Sequence, residues 1–243
     1  MTMPGPVHVA AVAAGLAIVL MTATGAAGQI DTYRAKTEAA LAHLRAAWSY
    51  ARTANGDLAG IEADAFLTAW DEVERTVPSA RAGDEAKMAV LVDEVRKLGT
   101  DALDRIDSGR LAEAKASLAQ VRGAIRAFQR DAGIETFADC IWDANRAGDA
   151  LWIHIPDRPD LRKAGTAARV GDAARAYSAA LTRCNETAPP DVAGQEEFRR
   201  LMDGALASLI VVGQAVDARD GGLLHRYLIE IISIDRLLYF RYG

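Results

Sequence analysis

Apolar residues recur every three or four positions along most of the chain, and polar residues occupy the positions between them. This spacing places the apolar side chains on one face of an α-helix. The alternation of apolar and polar residues that is typical of a half-buried strand is lacking. The pattern therefore predicts an all-α protein of about eight helices, in which antiparallel helical hairpins form one or two four-helix-bundle units. The predicted helices cover residues 31–53, 57–77, 84–107, 110–130, 134–155, 160–168 (a short helix), 173–183, 196–218 and 223–243.

Four glycine-containing turns recur about 50 to 60 residues apart. They read ANGDLAGIEA, DSGRLAEAKA, RVGDAARAYS and RDGGLLHRYL. This recurrence predicts a helical-hairpin repeat with two hairpins in each half, the halves being residues 29–132 and 133–243. The alternative is that helices commonly end on glycine in any helical protein. At the first turn, Asn55 and Gly56 suit a left-handed helix end and Asp57 suits the start of the next helix.

The final predicted helix is apolar over most of its circumference, which is typical of a helix at the centre of a bundle. It nevertheless contains two carboxylates, Glu230 and Asp235. Burial of a carboxylate without a partner is costly. Arg226 and Arg236 are close in sequence, and we expect them to pair with these acids.

The first 28 residues predict a signal peptide. Val9 to Met21 is a continuous run of small and apolar residues, and no charged residue precedes Asp31. Small residues before Ala26 and Gly28 suit cleavage at either place. The segment predicts a periplasmic or secreted protein that is soluble after cleavage. The alternative is a retained N-terminal membrane anchor, because Val9–Gly28 approaches the roughly 20 residues of a spanning helix.

The net charge and the sequence motifs argue against some classes of function. The net charge of −5 argues against a general nucleic-acid-binding protein, which needs a basic face to displace counterions from phosphate. The chain has no GxSxG motif and no glycine-rich phosphate loop. These observations favour a protein that is not an enzyme.

The two cysteines, Cys140 and Cys184, predict a structural disulfide, because thiols of exported proteins tend to be oxidised. Asp139 beside Cys140 would oppose formation of a thiolate, which argues against a catalytic cysteine.

Rare residues gather in the central stretch GIETFADCIWDANRAGDALWIHIPDR, which runs from Gly133 to Arg158. Glu135, Asp139 and Asp143 are each four residues apart, so we expect three acids along one helical face. Carboxylate oxygens of this kind bind hard cations such as Ca²⁺ or Mg²⁺. The alternative is a solvated face opposite the core.

Three further residues are candidate metal or ligand groups: His154, which follows Trp152 closely, and His225 and Glu230 in the last helix. Trp142 and Trp152 are candidate walls of a pocket. For the tryptophans the alternative is core packing, and for the histidines it is a surface or otherwise satisfied position.

The glycine turns and the segment FADCIWDANRAGDALW resemble exported helical-bundle proteins. These include the cytochrome c-prime and cytochrome b562-like bundles and the helical modules associated with bacterial metal uptake. The resemblance implies a bundle fold and export. The CxxCH motif of c-type haem attachment is absent, and neither a Met near the start of the first helix nor a His near the end of the last one is in place for haem ligation of the b562 type. No cofactor is predicted, and a metal ion remains a candidate.

Together these patterns predict an exported, non-enzymatic helical-bundle binding or accessory protein that is linked to metal or redox traffic. Its expected partner is a periplasmic or membrane protein. The alternative is a structural or protein-interaction helical module that has no small-molecule ligand.

Overall fold

The computed structural model describes residues 10–76, 84–156 and 158–243. In these ranges every regular element is a helix and no strand occurs, which confirms the all-α prediction. The helices are α1 (Ala10–Arg52), α2 (Gly56–Glu74), α3 (Asp84–Asp107), α4 (Leu111–Ala132), α5 (Phe137–Trp152), α6 (Ala164–Thr187), α7 (Pro190–Ala193), α8 (Glu196–Asp217) and α9 (Gly221–Tyr242).

Part of the predicted signal peptide lies outside the described residues, namely residues 1–9 and the side chains of residues 10–27. The backbone of α1 begins at Ala10, 21 residues before the predicted start of the first helix at Asp31. None of the helices in the described ranges is long and apolar enough to cross a membrane.

The chain forms two compact units, which we call unit 1 (Met1–Ile134) and unit 2 (Glu135–Gly243). In unit 1, α1 and α3 each pack against both α2 and α4. Lys36 pairs with Glu72 at 2.8 Å, whereas His43, farther along α1, pairs with Glu62 at 2.7 Å. Partner numbers that fall along α2 while they rise along α1 show that these two helices are antiparallel. Unit 1 is therefore a four-helix bundle with a closed ring of neighbouring helices.

Unit 2 repeats this arrangement. Here α5 and α8 each pack against both α6 and α9. The short α7 lies between α6 and α8 in the chain and does not belong to the ring. The inward faces of the four long helices build one continuous apolar core. Helices with a single apolar face have to bury it in this way, because most of their stability comes from packing.

The residues that end and begin the helices match the sequence prediction at some turns and differ from it at others. Between α1 and α2, the residue with the left-handed backbone is Ala54 (φ 61°), and Asn55 is the N-cap, whose side chain accepts a hydrogen bond from the Leu58 amide. The assignment of Asn55 and Gly56 to the left-handed position, with Asp57 as the cap, was therefore wrong by one or two residues. Gly133 ends α4 at φ 70°, as a glycine C-cap requires.

The third predicted turn, at Val170–Gly171–Asp172, does not exist. One continuous helix, α6, runs through this position, whereas two shorter helices were predicted. Gly171 is buried, and a β-carbon there would lie 3.7 Å from the side chain of Val216. That distance is an ordinary van der Waals contact, so the packing of α6 against α8 does not depend on a glycine here, and Gly171 does not break the helix. The other three glycine turns do separate consecutive helices.

The expectation that the last helix lies at the centre of a bundle was also wrong. α9 is one of four helices in the ring of unit 2 and has a solvent-facing side. Ile229 and Leu237 on that side are 46% and 44% exposed. The apolar residues around its circumference are therefore divided between the core and the surface.

Candidate functional site

A buried carboxylate marks the most unusual position in unit 2. Asp235 of α9 is only 3% exposed, although the neighbouring positions of its helix face are apolar. The Tyr177 hydroxyl of α6 donates a hydrogen bond of 2.7 Å to Asp235 Oδ1. The Asn145 amide nitrogen of α5 donates one of 2.6 Å to Asp235 Oδ2. One carboxyl group thus joins three helices, and each of its oxygens has a donor.

Burial raises the pKa of Asp235 to about 6, because desolvation disfavours the charged form. The hydrogen bonds from Tyr177 and Asn145 act in the opposite direction, since they stabilise the carboxylate. The negative charge of Asp149 raises this pKa further, and the positive charge of Arg236 lowers it. At neutral pH the group is therefore mainly an ionised acceptor held by two donors.

The predicted pairing of the α9 acids with Arg226 and Arg236 was wrong. Asp235 takes its hydrogen bonds from an uncharged phenol and an uncharged amide, and Arg236 is exposed. Glu230 is exposed and accepts a hydrogen bond of 2.9 Å from the buried Ser208 hydroxyl of α8. Partners from other helices therefore replace the arginines that are close in sequence.

Tyr177 links Asp235 to an aromatic side chain near the surface. The phenol is fully buried, and burial together with the adjacent carboxylate raises the pKa of Tyr177 well above its ordinary value. The half-buried Trp152 packs edge-on against Tyr177, with ring centroids 5.4 Å apart. A β-carbon at Gly148 would lie 2.6 Å from the Trp152 ring, so this glycine leaves room for the indole.

The predicted disulfide is confirmed. Cys140 in the first turn of α5 bonds to Cys184 in the last turn of α6. The Cα atoms are 5.6 Å apart, which is an ordinary disulfide separation. The bond fixes the ends of the two helices that supply Asn145 and Tyr177 to the Asp235 carboxylate.

The predicted strip of three acids on one helical face is not formed. Glu135 precedes α5, whose N-cap is Thr136. The Thr136 hydroxyl donates to Asp139 Oδ2 at 2.8 Å, and the Asp139 amide donates to the Thr136 hydroxyl oxygen at 3.2 Å. The Thr136 side chain thus caps the start of α5, and it also donates to the Asp139 carboxylate. Asp139 therefore has a role at the helix start, and Asp143 is exposed one turn later.

The candidate histidines do not gather with the acids. His154 is half-buried just after α5, and burial together with the positive charge of Arg169 lowers its pKa, which favours the neutral imidazole. His225 is half-buried near the start of α9. Over residues 10–76, 84–156 and 158–243, no three His, Cys, Asp or Glu side chains are grouped so that they could hold a metal ion.

The two candidate pocket-wall tryptophans pack against tyrosines. Trp142 lies against Tyr239 with ring centroids 5.9 Å apart, and Trp152 lies against Tyr177. The sequence pattern singled out neither Tyr177 nor Asn145 as a candidate site residue. No local motif connects either residue to Asp235, because they lie 58 and 90 positions away in the chain.

Comparisons of the chain with protein-family models, curated proteins and solved structures found no match.

Unit 1 provides an internal reference for this site. From Ala59 of α2 and from Val170 of α6, buried residues recur after four, seven, eleven and fourteen positions, and the same intervals follow Ala114 of α4 and Leu224 of α9. Phe66 thus takes the place of Tyr177, and Ile125 takes the place of Asp235. From Thr37 of α1 and from Ile141 of α5, buried residues recur after three, seven and ten positions. This spacing aligns the buried Leu41 with the half-buried Asn145, and Trp48 with Trp152.

Proposed function

We propose that this protein is an exported, non-enzymatic binding or accessory protein that is linked to redox traffic. The Cys140–Cys184 disulfide is the observation that carries the proposal. Structural disulfides persist in oxidising compartments and are rare in the cytosol. The apolar run at the start of the chain and the resemblance to exported helical bundles support the same compartment.

Redox traffic is favoured over metal traffic for a chemical reason. A tight metal site needs several ligands that converge on one point. The candidates Asp139, Asp143, His154, His225 and Glu230 do not converge, and each acid among the described contacts serves another purpose or faces solvent. Unit 2 instead brings together a disulfide, two Trp–Tyr contacts and a hydrogen-bonded phenol.

Expression of the full chain in a bacterial host tests export and oxidation together. We expect the intact mass to show loss of the segment that ends at Ala26 or Gly28, with the protein in the periplasmic fraction. Thiol alkylation of the denatured, unreduced protein should label no cysteine. A cytosolic protein of full-length mass with two labelled thiols would contradict the proposal.

A matched control is the variant Leu16→Arg, which places a charge in the apolar run. It should keep its full mass, remain in the cytosol and expose two thiols. If the variant is exported as well as the wild type, the apolar run is not the export signal.

Metal binding can be measured on the same preparation. A ligand that binds the folded state raises the melting temperature, because it stabilises only that state. We expect Fe, Cu and Zn salts to leave the melting temperature unchanged. A rise with one metal alone would favour metal traffic over redox traffic.

A further inference from the structure

Three side chains of unit 2 are in contact one after another, from Trp152 through Tyr177 to Asp235. An indole with partial access to solvent touches a fully buried phenol, and the phenol donates its proton to a carboxylate. This arrangement goes beyond a binding role, because each group has the chemistry needed for a defined electron or proton step.

We propose that Trp152, Tyr177 and Asp235 form a one-electron relay in which Tyr177 is the buried redox-active group and Asp235 accepts its proton. The external reactant is a one-electron oxidant that collides with the exposed edge of Trp152. The oxidant gains one electron, and Trp152 becomes a radical cation. Tyr177 then gives one electron to Trp152, and its phenolic proton moves along the 2.7 Å hydrogen bond to Asp235 Oδ1. The products are neutral Trp152, a neutral Tyr177 radical and a protonated Asp235 carboxyl group.

Geometry supports each step. Electron transfer is fastest between groups that are close together, and the Trp152 and Tyr177 ring centroids are 5.4 Å apart. Proton transfer needs an acceptor within hydrogen-bond reach of the donor, and Asp235 meets this condition. The Asn145 amide holds the other carboxylate oxygen, which keeps Oδ1 turned toward the phenol. Burial raises the pKa of Tyr177, so the phenol still carries its proton when it is oxidised, and the 2.7 Å hydrogen bond gives that proton a place to go.

Unit 1 supports the assignment by contrast. It has a tryptophan, Trp48, at the position equivalent to Trp152, but Phe66 and Ile125 replace the phenol and the carboxylate. Unit 1 therefore lacks the phenol–carboxylate pair at these positions.

Flash photolysis of the folded protein with tris(bipyridyl)ruthenium and a sacrificial quencher tests the relay, since the photogenerated ruthenium(III) complex removes one electron from an accessible indole. In the wild type we expect the tryptophan radical absorption to decay as the absorption of a neutral tyrosyl radical grows. Tyr177→Phe should abolish this growth, and Trp152→Phe should abolish the coupled decay of the tryptophan radical and growth of the tyrosyl radical. Tyr239→Phe, which alters the other Trp–Tyr contact of unit 2, is the matched control and should leave the kinetics unchanged.

The proton acceptor has its own readout. Asp235→Asn should slow tyrosyl formation by about 100-fold, the scale of a positioned proton acceptor. In the wild type the rate should fall as the pH decreases through about 6, where Asp235 becomes protonated while Asp149 and Arg236 remain its charged neighbours. Tyrosyl radical formation should also be slower in heavy water than in ordinary water. This measurement is made on the wild type, so it remains valid even if a substitution disturbs folding.

Three results would overturn the relay. One is the absence of a tyrosyl radical in the wild type, and another is an equal yield in folded Tyr177→Phe. The third is a rate that neither Asp235→Asn, pH nor heavy water changes. None of these readouts depends on export, so failure of the relay is distinguishable from failure of the proposed compartment.

Discussion

The two units have the same ring of helices but different chemistry at equivalent buried positions. Unit 1 places Leu41, Phe66 and Ile125 where unit 2 places Asn145, Tyr177 and Asp235. The fold therefore does not need a polar group at these positions, since unit 1 buries apolar side chains there. Polar residues do occur in unit 1, such as the buried Thr37 and Gln129, but at other positions of its helices.

The two units also differ in the free energy that burial of these side chains costs. A buried carboxylate is rarely the most stable choice for a core, and apolar residues of similar volume are often equal or better. A complete set of donors around Asp235 reduces the cost without removing it, as its raised pKa shows. The polar cluster in unit 2 is thus a functional candidate and not a requirement of four-helix packing.

The largest expected effect comes from the substitution Ile125→Asp, which places the unit 2 carboxylate in unit 1. Leu41 and Phe66, at the equivalent positions, have no side-chain donor, whereas the buried Arg122 and Gln129 lie three and four residues away on α4 itself. We expect unit 1 to lose about 5 kcal/mol at neutral pH, because a desolvated carboxylate replaces a packed apolar side chain. Denaturant unfolding followed by hydrogen exchange in each unit would measure this loss. The control Ile125→Val should cost only about 1 kcal/mol, and equal losses for the two variants would refute the comparison.

Loss of the disulfide is the next largest effect and is confined to unit 2. The double variant Cys140→Ser/Cys184→Ser opens a loop of 44 positions, for which chain entropy gives roughly 4 kcal/mol of stabilisation. Hydrogen exchange should become faster in α5 and α6. Both cysteines lie in unit 2, so exchange in unit 1 is the internal control. A uniform change in both units, or none in either, would contradict this prediction.

The pH dependence of unit 2 should follow Asp235. Its pKa is raised from 3.8 to about 6 on folding, so the folded state binds the proton more tightly than the unfolded state. The stability linked to this group is fully present below pH 4 and is lost as the pH rises through 6. The total loss is about 3 kcal/mol. Subtraction of the unfolding free energy of Asp235→Asn at each pH removes the contribution of other groups, and a flat difference would disprove the assignment.

The smallest effect concerns the contact between Gly148 and Trp152. Gly148→Ala places a β-carbon 2.6 Å from the indole, so Trp152 has to move and unit 2 should lose about 2 kcal/mol. The change in Trp152 fluorescence would report the movement. Gly123 of α4 is the matched control, because a β-carbon there meets no atom within 4 Å. Gly123→Ala should instead stabilise the helix by up to about 1 kcal/mol. If both variants change the free energy of unfolding in the same direction, helix propensity and not the indole decides the outcome.

Several features of the fold could be predicted because their causes are local. The apolar spacing and the capping residues identify most helices, and the ends of α3 and α8 lie within one residue of the predicted bounds. The disulfide follows from the presence of two cysteines in a chain that is predicted to be exported. Gly171 was misinterpreted because a glycine that ends a helix and one inside a continuous helix look the same in a sequence.

The candidate site was only partly predictable. The apolar pattern of α9 marked Asp235 as a costly residue, but the partner was sought among nearby arginines. Asp139 was assigned to a metal-binding strip, whereas its position relative to Thr136 makes it part of a helix cap. The two interpretations differ because α5 begins at Phe137, whereas the predicted helix begins at residue 134.

The sequence by itself determined the helical class of this protein, the positions of most helix ends and the presence of one carboxylate in an apolar helix. Only the tertiary structure decided what surrounds that carboxylate. Its donors, Asn145 and Tyr177, come from two other helices, 90 and 58 positions away. Helix formation depends on interactions within a few residues, whereas the hydrogen-bond partners of a buried group depend on which helix faces pack together, and that choice is made by the whole unit.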